Sequence, residues 1–166
     1  MPDRHTLAET EKAMKDHVGD LPLDFKAANA LSNLFRAANA VRSELTNRVL
    51  RKHDMTWTGF VVLWVVWIWE DMETRHVAES ADISKATLTG VVKTLEGRGL
   101  VHREGDPNDG RLVRLRLTAA GVALMEQIYP EFNAVESEII GKLSDRRISA
   151  FTSTLRDVVI AVEGEE

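Results

Sequence analysis

The sequence predicts a mainly α-helical protein with one small β-hairpin, and three observations lead there. Apolar residues recur at three- and four-residue spacing over most of the chain, as helices facing a core require. The period drops to two only near residues 100–117, where RLVRLRL alternates Val113, Leu115 and Leu117 with Arg114 and Arg116. Between this run and the short run LVHRE lies GDPNDG, whose turn formers join the two as a hairpin.

Taken in order, residues 1–20 are polar and form an extension with a loose helix. Thr6-Leu-Ala-Glu9 has the spacing of a capping box, and Leu7, Met14 and Val18 offer a thin apolar stripe. Leu21-Pro-Leu-Asp24 is the entry to a long helix reaching about Lys52, with Asp24 as N-cap. Its inner face carries Ala27, Leu31, Leu34, Ala38, Val41, Leu45 and Val49. Thr56 caps a second helix, WTGFVVLWVVWIW, which holds all four tryptophans. Trp57, Val61, Trp64 and Ile68 point to one side of it, and Val62, Val66 and Trp69 to the other. A helix apolar all round is expected to be buried between layers.

A short helix from about Arg75 to Ser80 and a turn through Asp82-Ile83 follow. Ser84 then caps a helix with Leu88, Val91, Val92 and Leu95 on one face, closed by Gly97 and Gly99. After the hairpin, Thr118 caps a long helix carrying Val122, Met125, Ile128, Phe132, Val135, Ile139 and Leu143, in which Pro130 is expected to cause a bend or interruption. Ser144-Asp145 caps a last helix with Ile148, Phe151, Leu155, Val158 and Val162 inward. The long helices at the two ends have no intrachain partner long enough to cover their stripes, which predicts a homodimer built through them. The expected division is a polar extension (1–20), a dimerisation helix (21–53), a compact lobe (54–117) and C-terminal dimerisation helices (118–166).

Composition removes several function classes. The uncharged run Met55–Trp69 has 15 residues and ends on Glu70 and Asp71, short of the ~18 that a membrane helix needs. No membrane partner is therefore expected. There are no cysteines, which excludes thiol catalysis, disulfides and Cys-based zinc sites. With no targeting pattern at the N-terminus, this fits a cytoplasmic protein. The five histidines are scattered without a tight ligand spacing, and no catalytic triad, phosphate loop or carboxylate pair stands out. Neither an enzyme nor a metal or other cofactor is expected. Net charge is −5. Residues 75–116 nevertheless carry eight Lys/Arg against six Asp/Glu, so that segment is +2 and the remainder −7, a distribution compatible with nucleic-acid binding.

The middle lobe reads as helix, short helix, turn, helix and basic hairpin. A helix-turn-helix places its second helix in the major groove of DNA. On the helix starting at Lys85, the face opposite the apolar one consists of Lys85, Ala86, Thr89, Gly90 and Lys93, with Ser84 and Thr87 at its N-terminal turn. This face is small, polar and cationic, and nothing bulky holds it off a groove. An ordinary solvated face is the alternative. Arg103, Arg111, Arg114 and Arg116 flank one hairpin, and Arg111 follows its turn, where a thin loop can enter a minor groove. A sheet with a solvated basic face is again the alternative.

These residues carry a resemblance. The stretch ATLTGVVKTLEGRGLVHREGDPNDGRLVRLRLTAAG resembles the most recognisable block of the MarR family of winged-helix regulators. Its pattern of T-x-T, L-E-x-x-G-L-V-x-R, D-P-x-D-x-R and L-T-x-x-G is met by Thr87 and Thr89, Leu95-Glu96, Gly99-Leu100-Val101, Arg103, Asp106-Pro107, Asp109, Arg111, Leu117-Thr118 and Gly121. The resemblance covers about residues 24–163. It implies a winged helix-turn-helix lobe between dimerisation helices, and a homodimer on double-stranded DNA. It further implies a roughly palindromic operator, usually repressed, and often release by a small aromatic or phenolic effector. Ser84, Lys85, Ala86, Thr87, Thr89, Gly90 and Lys93 would lie in the major groove and Arg111 in the minor groove. Arg98, Arg103, Arg114 or Arg116 would hold phosphates.

Two features depart from the pattern: Gly90 stands where relatives often have a longer residue, and the second helix is apolar almost throughout. In the resembled family the effector pocket lies beside that helix. Trp57, Trp64 and Trp67 would stack on an aromatic ligand there, and Arg42 or His53 would meet its acid group; the alternative is that the tryptophans only fill the junction. The rival from another class is a winged helix used for protein contacts alone, which the set Lys85, Lys93, Arg111 and Arg114 counts against.

Overall fold

The computed structural model describes residues 5–105 and 112–164. They contain seven α-helices and a three-stranded antiparallel sheet, and divide after Glu44 into two compact units. In the first unit, helix α1 (Leu7–Val18) opens with the predicted capping box. The Thr6 hydroxyl accepts from Glu9 N at 3.2 Å while the Thr6 N–H donates to Glu9 Oε2 at 2.7 Å. Helix α2 (Phe25–Arg48) starts on Asp24, whose Oδ1 accepts from the N–H groups of Lys26 and Ala27. Helix α2 is tied to α1 by Asn33 Nδ2 donating to Glu11 Oε1 at 2.8 Å and by the Arg36 guanidinium, which donates to Thr10 Oγ1 at 3.4 Å and to the carbonyl of His5, just before α1, at 2.6 Å.

The second unit holds the core. The long helix stops at Arg48, four residues before the expected Lys52, and a 3-10 turn (Leu50–His53) takes over. Asp54 closes that turn in the left-handed region, a conformation that Asp tolerates better than most residues. Thr56 then caps α3 (Trp57–Trp69) by accepting from Gly59 N at 3.0 Å. Helix α3 packs on α4 (Thr74–Ser80), α5 (Lys85–Gly97), α6 (Ala119–Ile140) and the sheet. Phe60, Val62, Leu63, Val65 and Val66 of α3 are buried with Val77, Leu88, Val92, Leu95, Leu115, Met125 and Ile128. Each such side chain stabilises by about 1.5–3 kcal/mol.

Here the expectation of a wholly buried α3 is corrected. The valines, Phe60 and Leu63 form the core, whereas Trp57, Trp64 and Trp67 are half-buried and Trp69 is 68% exposed. The physical reason is size: one core between α3 and its neighbours closes around valines, and the indoles stay on its rim.

Strand β1 (Met72–Glu73) was not expected. It extends the predicted hairpin of β2 (Val101–Gly105) and β3 (Val113–Leu117) to the order β1-β3-β2. Arg103 pairs with Leu115, while His102 and Glu104 pair with Arg116 and Arg114. Alternation therefore puts Arg103 on the inner face with the fully buried Leu115, and Arg114 and Arg116 on the outer face. Helix α6 runs through Pro130 without the expected interruption, and α7 (Asp145–Glu163) follows Ser144, which stands at the N-cap position but does not make the expected side-chain hydrogen bond. No residue of α7 is buried. Phe151 and Val162, expected inward, are 46% and 81% exposed.

Candidate nucleic-acid interface

Helix α5 is held by its buried face and by its ends. Ser84 accepts from Thr87 N at 3.1 Å, and the two hydroxyls lie 2.8 Å apart. Leu88, Val92 and Leu95 anchor it, and this leaves Lys85, Ala86, Thr89, Gly90 and Lys93 exposed together. Thr89 Oγ1 donates to the Lys85 carbonyl at 2.9 Å, so its hydroxyl presents lone pairs and a methyl group outward. A cleft of about 250 Å³ between α5, the start of α4 and the sheet brings Lys85, Thr89 and Arg103 together, with Thr74, Arg75 and Val113.

The cations of this lobe fall into two sets. Lys85 and Lys93 have no acid partner among the described residues. The described arginines are engaged. Arg98, at the C-cap of α5, donates to the carbonyls of Asp54 at 2.7 Å and His53 at 2.9 Å, tying the end of α5 to the 3-10 turn. Arg103 Nε lies 3.3 Å from Glu96 Oε2. Arg114 donates to the Asp71 carbonyl at 2.9 Å and sits 3.5 Å from its carboxylate. Arg116 meets Asp71 through both Nε (3.0 Å) and Nη2 (2.8 Å), and Glu104 at 3.3 Å. The hydrogen bond and charge of Asp71, then Glu104, raise the Arg116 pKa further above its ordinary value. Arg111 lies outside the described residues.

Asp71 is the side chain of this region whose partners sequence reasoning missed. It stands directly after α3, at the base of the sheet, and takes two wing arginines at once. The signal was present only as an acid pair closing an apolar helix, which says nothing about distant partners.

The aromatic residues do not form one site. Trp57 and Trp64 line a cleft of about 260 Å³ with Phe60, Tyr129, Phe132 and Glu136. Its floor is firm, since Phe60 and Phe132 stack with centroids 4.5 Å apart and Trp57 leans on Phe132 at 6.2 Å. Trp67 turns its edge to Tyr129 at 5.6 Å and lines a separate hollow of about 490 Å³ with Glu70, Asp71 and Arg116. The His53 ring is nearly covered and lies 3.4 Å from Glu131 on α6, outside the Trp57–Trp64 cleft. Arg42 belongs to the first unit, where it donates to Asn39 Oδ1 at 2.7 Å.

No described helix is long and apolar enough to cross a membrane. Among known proteins, the model of the MarR family matches residues 55–113. The chain is 35% identical to the helix-turn-helix transcriptional regulator YwaE of Bacillus subtilis, over 82% of this chain and 80% of that one. Two solved structures share its fold. NadR in complex with 4-hydroxyphenylacetate has a TM-score of 0.71 at 23% identity, covering 81% of this chain and 97% of that one. BpsR of Bordetella bronchiseptica, whose DNA binding is regulated by 6-hydroxynicotinic acid, has a TM-score of 0.70 at 26% identity, covering 78% and 98%. A mainly helical chain with a small antiparallel sheet, an exposed cationic face on α5 and these relatives has one assignment: it belongs to the MarR family of DNA-binding transcriptional regulators.

Proposed function

We propose that the protein acts as a homodimeric repressor of a roughly palindromic operator, released by a small hydroxy-aromatic ligand. The observation that carries the DNA contact is the exposed face of α5, small in profile and bordered by Lys85 and Lys93 without acid partners among the described residues. Ser84 to Lys93 enter the major groove and Arg111 the adjacent minor groove. Arg98, Arg103, Arg114 and Arg116 are the further phosphate ligands of this reading, and each already has a partner within the protein. The functional division follows as extension (1–20), dimerisation helix (21–53), DNA-binding lobe (54–117) and C-terminal dimerisation helices (118–166).

Dimerisation is supported by α7. Ile140, Phe151, Leu155, Val159 and Ile160 line an apolar hollow of about 460 Å³ that none of the described residues of the second unit fills, and a second copy of the same helices covers it. The ligand class is supported by the Trp57–Trp64 cleft, whose walls are aromatic, whose Tyr129 offers a hydroxyl and whose Glu136 accepts from a phenol. NadR and BpsR, whose ligands are both hydroxy-aromatic acids, point the same way.

Selection of duplexes from a random pool, followed by titration at rising salt, tests the DNA reading. Affinity is expected to fall steeply with salt through counterion release, and absence of binding at low salt refutes the regulator. Hydroxy-aromatic acids are expected to quench the fluorescence of the wild type more than that of Trp64→Phe, and to weaken the operator complex. Quenching equal in the two, or none, removes this ligand class from the cleft.

A further inference from the structure

Gly90 stands in the middle of the exposed face of α5. A glycine inside a helix destabilises it relative to alanine, through the backbone freedom it gives the unfolded chain. Its presence therefore asks for a reason, and the described residues offer none. A Cβ built there meets no heavy atom within 4 Å, and its φ is not left-handed. Gly59 differs, since a Cβ there would press on Met55 Sδ and Thr56 Oγ1 at 3.0 Å. The reason for Gly90 lies outside the protomer, in something that approaches the α5 backbone more closely than a side chain permits.

The surroundings of Gly90 say what that is. At helical spacing its neighbours are Ala86, Thr87, Lys93 and Thr94. Ala86 has no polar side-chain atom. Thr94 Oγ1 donates to the Gly90 carbonyl at 3.2 Å, and the Thr87 hydroxyl is held at 2.8 Å by Ser84. Around Gly90 the helix thus offers a shallow seat in which Ala86 is apolar and the Thr87 and Thr94 hydroxyls are already hydrogen-bonded, with a lysine at its border. In the major groove the apolar feature of a base edge is the 5-methyl group of thymine.

We propose that Gly90 is a specificity-determining residue: its missing side chain lets α5 close on a thymine methyl in each operator half-site. This rests on the reading of α5 as the groove-facing helix.

The test uses the full chain and a duplex recovered by selection from a random pool, with each thymine in turn replaced by deoxyuridine. At one position per half-site, loss of the methyl group is expected to weaken wild-type binding about fourfold. Gly90→Ala is expected to bind the selected duplex at least about tenfold more weakly and to treat thymine and uracil alike. Its Tm is expected to rise by about 2–4 °C, which separates lost contact from lost folding. Wild-type affinity in Gly90→Ala, or a wild type indifferent to every deoxyuridine, overturns the inference. If Lys93→Ala weakens binding in the same assay while Gly90→Ala does not, this inference falls and the groove-facing reading stands. No binding by the wild type to any duplex overturns both.

Discussion

Lys93→Ala and Arg116→Ala make a paired prediction, because the two cations differ in what already neutralises them. Lys93 is exposed on α5 with no acid partner among the described residues, so a phosphate that it meets releases a counterion in full. Each such contact contributes about −0.9 to the slope of log affinity against log salt. A dimer losing Lys93 twice is expected to lose about 1.8 of that slope, and at about 0.1 M salt to bind about eightfold more weakly per protomer. Arg116 already faces Asp71 and Glu104 at 2.8–3.3 Å. Exchanging carboxylates for a phosphate yields little net charge neutralisation, so Arg116→Ala is expected to leave the slope unchanged. It instead lowers Tm slightly, by leaving Asp71 with Arg114 alone of this pair. Fluorescence anisotropy with one labelled duplex over a salt series reads both variants. Equal slope changes in the two would refute the division of cations into engaged and unengaged sets.

Three other outcomes are expected. Gly121→Ala destabilises by about 2 kcal/mol, or about 4–8 °C in Tm, because its Cβ would overlap the Leu100 carbonyl; Gly97→Ala, with open space around it, raises Tm in the same melts. The hydrogen bonds from the Thr6 backbone and hydroxyl hold the Glu9 carboxyl below the usual carboxylate range. The helicity that its capping box stabilises is therefore full above the ordinary value and lost as pH falls through the lowered one, and far-UV circular dichroism of Glu9→Gln should show that step reduced. Val159→Asp puts a charge on the apolar face of α7; sedimentation is expected to show monomers, and an intact dimer would move the interface elsewhere.

The local signals were legible because they act over a few residues. Thr6, Asp24, Thr56, Ser84 and Thr118 all cap the helices that the sequence assigned to them, since a cap needs only its own first turn. The hairpin strands were legible from alternation. Three features needed tertiary context. Strand β1 is two residues long and exists because β3 offers a free edge to Met72 and Glu73, which no periodicity within Met72–Glu73 can reveal. Asp71, the partner that Arg114 and Arg116 share, lies 43 or more residues away, so a row of arginines looked free when it was not. The third is the Gly121 contact: the L-T-x-x-G pattern was readable, but its cause, the close pass of α6 over Leu100 secured by Thr118 donating to the carbonyls of Gly99 and Leu100, appears only in the fold.

The uneven charge has a kinetic consequence. Residues 75–116 are +2 and the rest of the chain −7, so on the proposed reading DNA would be drawn to the segment bearing Lys85 and Lys93 and disfavoured by the acidic remainder. Encounters are thereby oriented before contact, and sideways collisions dissociate quickly. A uniformly basic regulator would linger on any duplex. With the charge placed as it is here, residence on random DNA would be short, and the molecules that do arrive would come with α5 facing forward.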